Sequence, residues 1–171
     1  MKTPSGPKAI LEGLKEAGIN LIATVPDINL AALLRLIEGD RDIIHVPLCR
    51  EEEGTGICAG GYLVGKKCAL LMQNGGLYNS VNGIVSTLLH YQVPLLLLIY
   101  YAGDVGDRSF STTGAMTEPI LNALGIRTYI LRNPDEATIL IRRAQILTED
   151  YKRPVAILLT KDVLGRRKPG E

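Results

Sequence analysis

The chain has 171 residues, 46% hydrophobic, 22% charged and 5% aromatic, which suits about one globular domain with a sizeable core. Nineteen Lys and Arg against eighteen Asp and Glu leave a net charge of +1, so no global field favours nucleic acid or an anionic membrane. The longest apolar run, Val93 to Tyr101, contains Pro94 and falls short of the ~20 residues that span a bilayer.

The first residues lack the apolar stretch of a signal peptide. Cys49, Cys58 and Cys68 are odd in number and stand at no metal-ligand spacing. Together these features predict a cytoplasmic chain with reduced thiols.

In chain order, apolar periodicity predicts a helix over 8–17, a strand over 19–25, a helix over 30–38 and a strand over 43–46. A helix over 51–64, a strand over 68–72, a helix over 80–91 and a strand over 94–100 follow. The pattern closes with a helix over 118–124, a strand over 126–130, a helix over 135–150 and a strand over 155–159. Short strands rich in Ile, Val and Leu, separated by helices, predict an α/β fold: a three-layer α/β/α sandwich around a six-stranded, mainly parallel sheet. Residues 1–165 are expected to form one domain, with 166–171 a basic, solvated tail.

Ligands of such sheets bind beyond the carboxyl ends of the strands, so the loops after the strands carry the functional reading. Glu51-Glu52-Glu53 opens a helix, where acids already suit the macrodipole. The glycines Gly54, Gly56, Gly60 and Gly61 cost about 1 kcal/mol each in a helix interior, which suggests close approach by another backbone or a ligand. Asn74-Gly75-Gly76-Leu77-Tyr78-Asn79-Ser80 reads as a tight turn capped by Asn79 or Ser80, without a phosphate-loop signature. Residues 102–117 read as a long loop, lid or binding segment. Arg108 within it, among hydroxyls, suits a sulfonate, phosphonate or carboxylate. His45 and His90 lack a nucleophile partner motif and are read as core-adjacent and helix-terminal residues.

Four blocks then resemble the pyrimidine-binding (PYR) domain of thiamine diphosphate enzymes, and within them the alpha subunits of sulfopyruvate decarboxylases. They are Val25-Pro26-Asp27, the run from Arg50 to Tyr62, the run from Met72 to Asn82, and Thr117-Glu118-Pro119 continuing to Ile126. The family places Gly-Tyr nine and ten positions after its glutamate, and Gly61-Tyr62 selects Glu52. Departures are Thr24 for the family's Gly, Ile28 for its Ser, and Tyr78 in its Gly-Leu-Gly-Asn turn.

The resemblance implies that Glu52 hydrogen-bonds the aminopyrimidine of thiamine diphosphate, so that the 4′-nitrogen can take the thiazolium C2 proton, after which the cofactor carries the decarboxylation of a 2-oxo acid. It implies Gly76, Asn79, Gln73 and Asn74 around the pyrimidine, and Asp27, Arg108, Arg50 and Tyr78 near the substrate. Glu51 and Glu53 are expected at solvent or a subunit interface. None of Gly39-Asp40-Arg41, Gly103-Asp104-Val105 and Gly106-Asp107-Arg108 is Gly-Asp-Gly, so the resemblance assigns Mg²⁺ and the diphosphate, a hard oxygen site, to a separate beta subunit in at least an α2β2 assembly. The implied substrate is 3-sulfopyruvate, on the route to coenzyme M, with phosphonopyruvate as the alternative. A non-catalytic binding or regulatory domain of the same fold is the competing reading.

Overall fold

Four apolar runs form strands buried along nearly their whole length: β1 (Leu21–Thr24), β3 (Cys68–Gln73), β4 (Leu96–Tyr100) and β6 (Val155–Leu159). Such strands need cover on both faces, and the helices supply it. β2 (Ile44–Pro47) and β5 (Arg127–Leu131) are less buried and lie at the two edges. The order is β2-β1-β3-β4-β6-β5 and every pairing is parallel, so the expected mainly parallel sheet is wholly parallel. The computed structural model describes residues 5–108 and 110–165. The predicted tail at 166–171 lies outside the described residues.

Alternation along the strands assigns each side chain to one layer. Ala69, Leu71, Leu96, Leu98, Val155 and Ile157 pack with Ile10 and Leu14 of α1 (Gly6–Glu16), Leu33 and Ile37 of α2 (Ala31–Glu38) and Ile141 of α7 (Ala137–Tyr151). Leu70, Met72, Leu97, Ile99 and Leu158 pack with Cys58 of α3 (Glu51–Leu63) and Leu121 of α6 (Ser111–Ala123). Full burial of one such Leu or Ile side chain is worth roughly 1.5–3 kcal/mol. Close approach is built in: a Cβ on Gly13 would lie 3.0 Å from the Thr138 Cα, which brings α1 against α7.

Two expectations are corrected. Residues 74–79 are not a tight turn but helix α4 (Asn74–Asn79), continued after Ser80 by one turn, α5 (Val81–Gly83), and a π-helical stretch (Ile84–Leu89). The Ser80 hydroxyl donates to the Gly76 carbonyl at 2.8 Å, and Ser86 to Asn82 at 2.7 Å. Such back-bonding competes with the regular helical ladder and bends helices, and π-helical turns are frequent at functional sites. The loop expected over 102–117 is also shorter, because α6 already begins at Ser111. Gly103 and Gly114 are the reason: a Cβ on Gly114 would lie 2.5 Å from the Gly103 oxygen, so loop and helix touch backbone to backbone.

Candidate active site

The sheet order reverses about β1, whose neighbours β2 and β3 continue the chain on opposite sides. The carboxyl ends of β1 and β3 therefore flank the switch point, the usual ligand position in open parallel sheets. Helix α3 starts at that edge, and its first turn carries all three acids. Each acid does something different.

Glu53 is the cap. Its Oε2 accepts the backbone N–H groups of Cys49 and Arg50 at 3.1 Å each, satisfying donors at the helix start. The expectation of a solvent or interface residue holds for its exposure but misses this role. Glu51 is half-buried, and a Cβ on Gly76 would collide with its side chain. The Gly76 notch thus receives Glu51, so of the two expected places, solvent or a subunit interface, its half-buried side chain does not fit open solvent.

Glu52 is half-buried. The Asn82 amide donates to its Oε1 at 3.0 Å, while its Oε2 has no hydrogen-bond partner among the described residues. The Thr55 hydroxyl donates to the Glu52 carbonyl at 2.7 Å. A Cβ on Gly83 would lie 3.2 Å from Glu52 Cγ and would collide with Thr55 Oγ1. Glu52 therefore stands in the seam between α3 and α5, with one carboxylate oxygen anchored and the other available to a donor.

The glycines of α3 divide by face. A Cβ on Gly54 would run into Leu70 and Leu48, and one on Gly61 would lie 2.8 Å from Cys68 Sγ, so these two let the helix sit tightly on the sheet. Gly56 and Gly60 face open space.

The remaining candidates divide as sharply. Asn74 is 0% exposed, and its amide donates to the Ala102 carbonyl at 2.8 Å and to Thr117 Oγ1 at 2.9 Å. It ties α4 to the segment that follows β4 and to α6. The Tyr78 hydroxyl donates to the Thr113 carbonyl and lies 3.0 Å from Thr117 Oγ1, so its polar end is engaged by α6. Gln73 is half-buried at the start of α4, and Asn79 is exposed at its end. Asp27 Oδ1 accepts the Asn29 N–H at 2.7 Å, which shapes the loop after β1. Arg50 and Arg108 are exposed and have no ion-pair partner among the described residues. No hydrogen bond joins Asp27, Arg50 or Arg108 to Glu52 among the described residues.

His45 is half-buried and pairs through Nε2 with Thr24 Oγ1 at 2.8 Å. His90 is exposed, edge-on to Tyr91 at 4.7 Å. Asn82 and Gly83 were given no role in the sequence, although a helix continuing from α4 places Asn79 and Asn82 three residues apart on one face. The boundary expected at residue 80, with a turn before it and a helix over 80–91 after it, separates Asn79 from Asn82 and hides that shared face.

Among the described residues no group of three or more His, Cys, Asp or Glu side chains is placed to hold a metal ion. No described helix is long and apolar enough to cross a membrane. All three cysteines are free.

The model of the thiamine pyrophosphate enzyme N-terminal TPP binding domain matches residues 4–126. The chain is 44% identical over 155 residues to the sulfopyruvate decarboxylase subunit alpha of Methanocaldococcus jannaschii, covering 90% of this chain and 92% of that one. It is 37% identical over 161 residues to the subunit of the same name from Methanothermobacter thermautotrophicus, covering 93% and 97%. A phosphonopyruvate decarboxylase from Streptomyces hygroscopicus is more distant, at 28% over 58% of this chain and 25% of its own. In fold, the chain matches 2-oxoglutarate:ferredoxin oxidoreductase from Magnetococcus marinus with a TM-score of 0.76 at 14% identity, over 94% of this chain and 29% of that one. The parallel sheet and these matches agree, and the chain belongs to the thiamine pyrophosphate enzyme family, of which it carries the N-terminal cofactor-binding domain.

Proposed function

We propose that this chain is the alpha subunit of a two-chain 2-oxo acid decarboxylase that converts 3-sulfopyruvate to sulfoacetaldehyde and CO₂, and that Glu52 is its catalytic residue. The observation that carries the reading is the Glu52 carboxylate, with Oε1 anchored by Asn82 and Oε2 unpartnered among the described residues. An aminopyrimidine ring nitrogen that gains a proton is a matching donor for that oxygen. When bound, thiamine diphosphate supplies the carbanion chemistry.

The work of this chain is local. Asn82 fixes the carboxylate rotamer, and the missing side chains at Gly76 and Gly83 keep the first turn of α3 close to α4 and α5. With the cofactor bound, Glu52 would accept the hydrogen bond of the pyrimidine ring nitrogen and hold the shared proton, a task that general acid–base catalysis assigns to a carboxylate within hydrogen-bond reach. Gly76, Gln73 and Asn79 would border the pyrimidine of the bound cofactor, while the buried Asn74 holds α4 in place. Arg108 and Arg50, two guanidinium groups without ion pairs among the described residues, supply charge for the sulfonate or carboxylate of the substrate. Asp27 and Tyr78 flank that region.

Residues 1–165 form the PYR-type domain, and the diphosphate with its Mg²⁺ falls to a beta subunit. This division is supported by a longer Methanosarcina acetivorans sulfopyruvate decarboxylase, of which the matching segment makes up 40%. An assembly of at least α2β2 and a cytoplasmic location, the latter consistent with three free thiols, complete the reading.

The test is CO₂ release from 3-sulfopyruvate, phosphonopyruvate and pyruvate by the chain co-purified with its beta partner, with thiamine diphosphate and Mg²⁺. Turnover of 3-sulfopyruvate that needs both chains and disappears in Glu52→Gln supports the proposal. A complex that binds the cofactor yet decarboxylates none of the three acids overturns it in favour of a non-catalytic domain.

A further inference from the structure

Helix α7 reaches past the edge of the sheet. It packs on β6 and β4, while β5, the edge strand, has no neighbour beyond it. The side of α7 over that edge therefore has no strand beneath it. Leu140, Arg143, Ala144 and Leu147 share this side at helical spacing. Tyr129 of β5 faces them, since its register partner Ile157 packs in the same layer as Ile141 of α7. Tyr129 and these four residues enclose a cavity of about 210 Å³.

Its walls are apolar and accessible. Tyr129 is 38% exposed, and Leu140 and Leu147 are half-buried against the core. An apolar cavity of about 150 Å³ accepts a benzene ring, so this one has room for a body of about six carbons. No acid lines it.

One charge stands among these walls. Arg143 is exposed and has no ion-pair partner among the described residues. The positions three and four away along α7 hold Ile139, Leu140, Ile146 and Leu147, so no acid of the helix reaches it at the usual spacing. Nearby guanidinium groups are engaged elsewhere: Arg142 with Glu16 Oε2 at 3.4 Å, and Arg127 over the Tyr151 ring at 5.2 Å. A planar guanidinium holds a carboxylate through two parallel hydrogen bonds.

We propose that this cavity binds a small monocarboxylate with an apolar body, aromatic or branched aliphatic, the carboxylate meeting Arg143 and the body lying against Tyr129, Leu140 and Leu147. Recognition needs both halves. A phosphate or sulfate ion would face an apolar floor that leaves most of its oxygens unpaired, and a neutral hydrocarbon would leave Arg143 unused. The site lies in the layer of α1, α2 and α7, across the sheet from the layer of α3 that carries Glu52, and does not depend on the decarboxylase reading.

Titration of the isotope-labelled full chain with benzoate at constant ionic strength, followed by amide NMR shifts, tests it. Saturable shifts centred on Tyr129 and residues 140–147 are expected. Acetate, which lacks the body, and benzyl alcohol, which lacks the charge, should each bind at least about tenfold more weakly. Arg143→Gln is expected to weaken benzoate about tenfold and to leave benzyl alcohol within about twofold. Arg142→Gln, which removes the same charge one residue away and outside the cavity, should change benzoate binding by less than about twofold. No saturation by about 20 mM benzoate, acetate binding as tightly as benzoate, or equal weakening in the two arginine variants overturns the site. Thermal melts verify folding. Where Arg143→Gln does not fold, Tyr129→Ser takes its place, with benzoate at least about fivefold weaker expected and unchanged binding overturning the site.

Discussion

Asn82 reaches across thirty positions of sequence to donate its amide to Glu52 Oε1 at 3.0 Å, joining the first turn of α3 to the turn that follows α4. This bond leaves the other carboxylate oxygen without a partner among the described residues. Asn82 is therefore a positioning residue for the proposed acid–base group. Asn82→Leu is expected to lower kcat about tenfold with little change in KM for the 2-oxo acid, and Asn82→Gln, which keeps an amide donor, to recover part of the loss. A fall in stability without this split in the kinetic constants would leave Asn82 a purely structural residue.

Glu52→Gln keeps the shape of the side chain and removes its charge. Loss of a positioned acid–base group costs typically 10²- to 10⁴-fold, so turnover is expected to fall by at least about 10², with an unchanged melting temperature. Steady-state rates and a melting curve on the same preparation check it.

Gly76 and Gly83 have no room for a methyl group, because Glu51 and Thr55 occupy the space. Gly76→Ala and Gly83→Ala are each expected to destabilise by about 1–3 kcal/mol through overpacking, or several degrees in Tm for a chain of this size. Gly56→Ala, at a position open to solvent, is expected to be neutral or stabilising. Urea titrations of the three variants decide between these outcomes.

Asn74 makes two buried hydrogen bonds, to Ala102 and Thr117. Asn74→Leu strands both acceptors at a cost of about 1–3 kcal/mol. Removal of the Tyr78 hydroxyl, which serves Thr113 and Thr117, is expected to cost about 1 kcal/mol in Tyr78→Phe. Because the same threonine joins both networks, the double variant should be non-additive.

Tyr101 gives a pH signature. Burial, and after it the hydrogen bond to Glu118 at 2.8 Å, hold its phenol above the ordinary range. An unfolded tyrosine releases its proton near pH 10, where the folded chain still keeps it. The unfolded state then binds fewer protons, so stability is full below about pH 10 and declines as pH rises beyond it. Tyr101→Phe should be less stable at neutral pH but show a shallower alkaline decline in urea melts.

The sequence by itself determined the alternation of strands and helices, the burial of Leu70, Leu97 and Ile157, and the glutamate three-residue run at the head of α3. Those features are local: a strand repeats every two residues and a helix every 3.6, so apolar spacing reports them directly. The Gly-Tyr spacing singled out Glu52 through family resemblance. Only the tertiary structure decided what surrounds it. Parallel strands are joined by crossovers of a dozen residues or more, so Glu52 meets Asn82, Glu51 meets Gly76, and Tyr129 shares a cavity with Arg143 across gaps that no local period encodes. The same reason explains the misread turn at Asn74. Gly54, Gly61 and Gly114, which would weaken a helix in isolation, are favoured here because their surroundings leave no room for a side chain, and packing of that kind overrides intrinsic propensity.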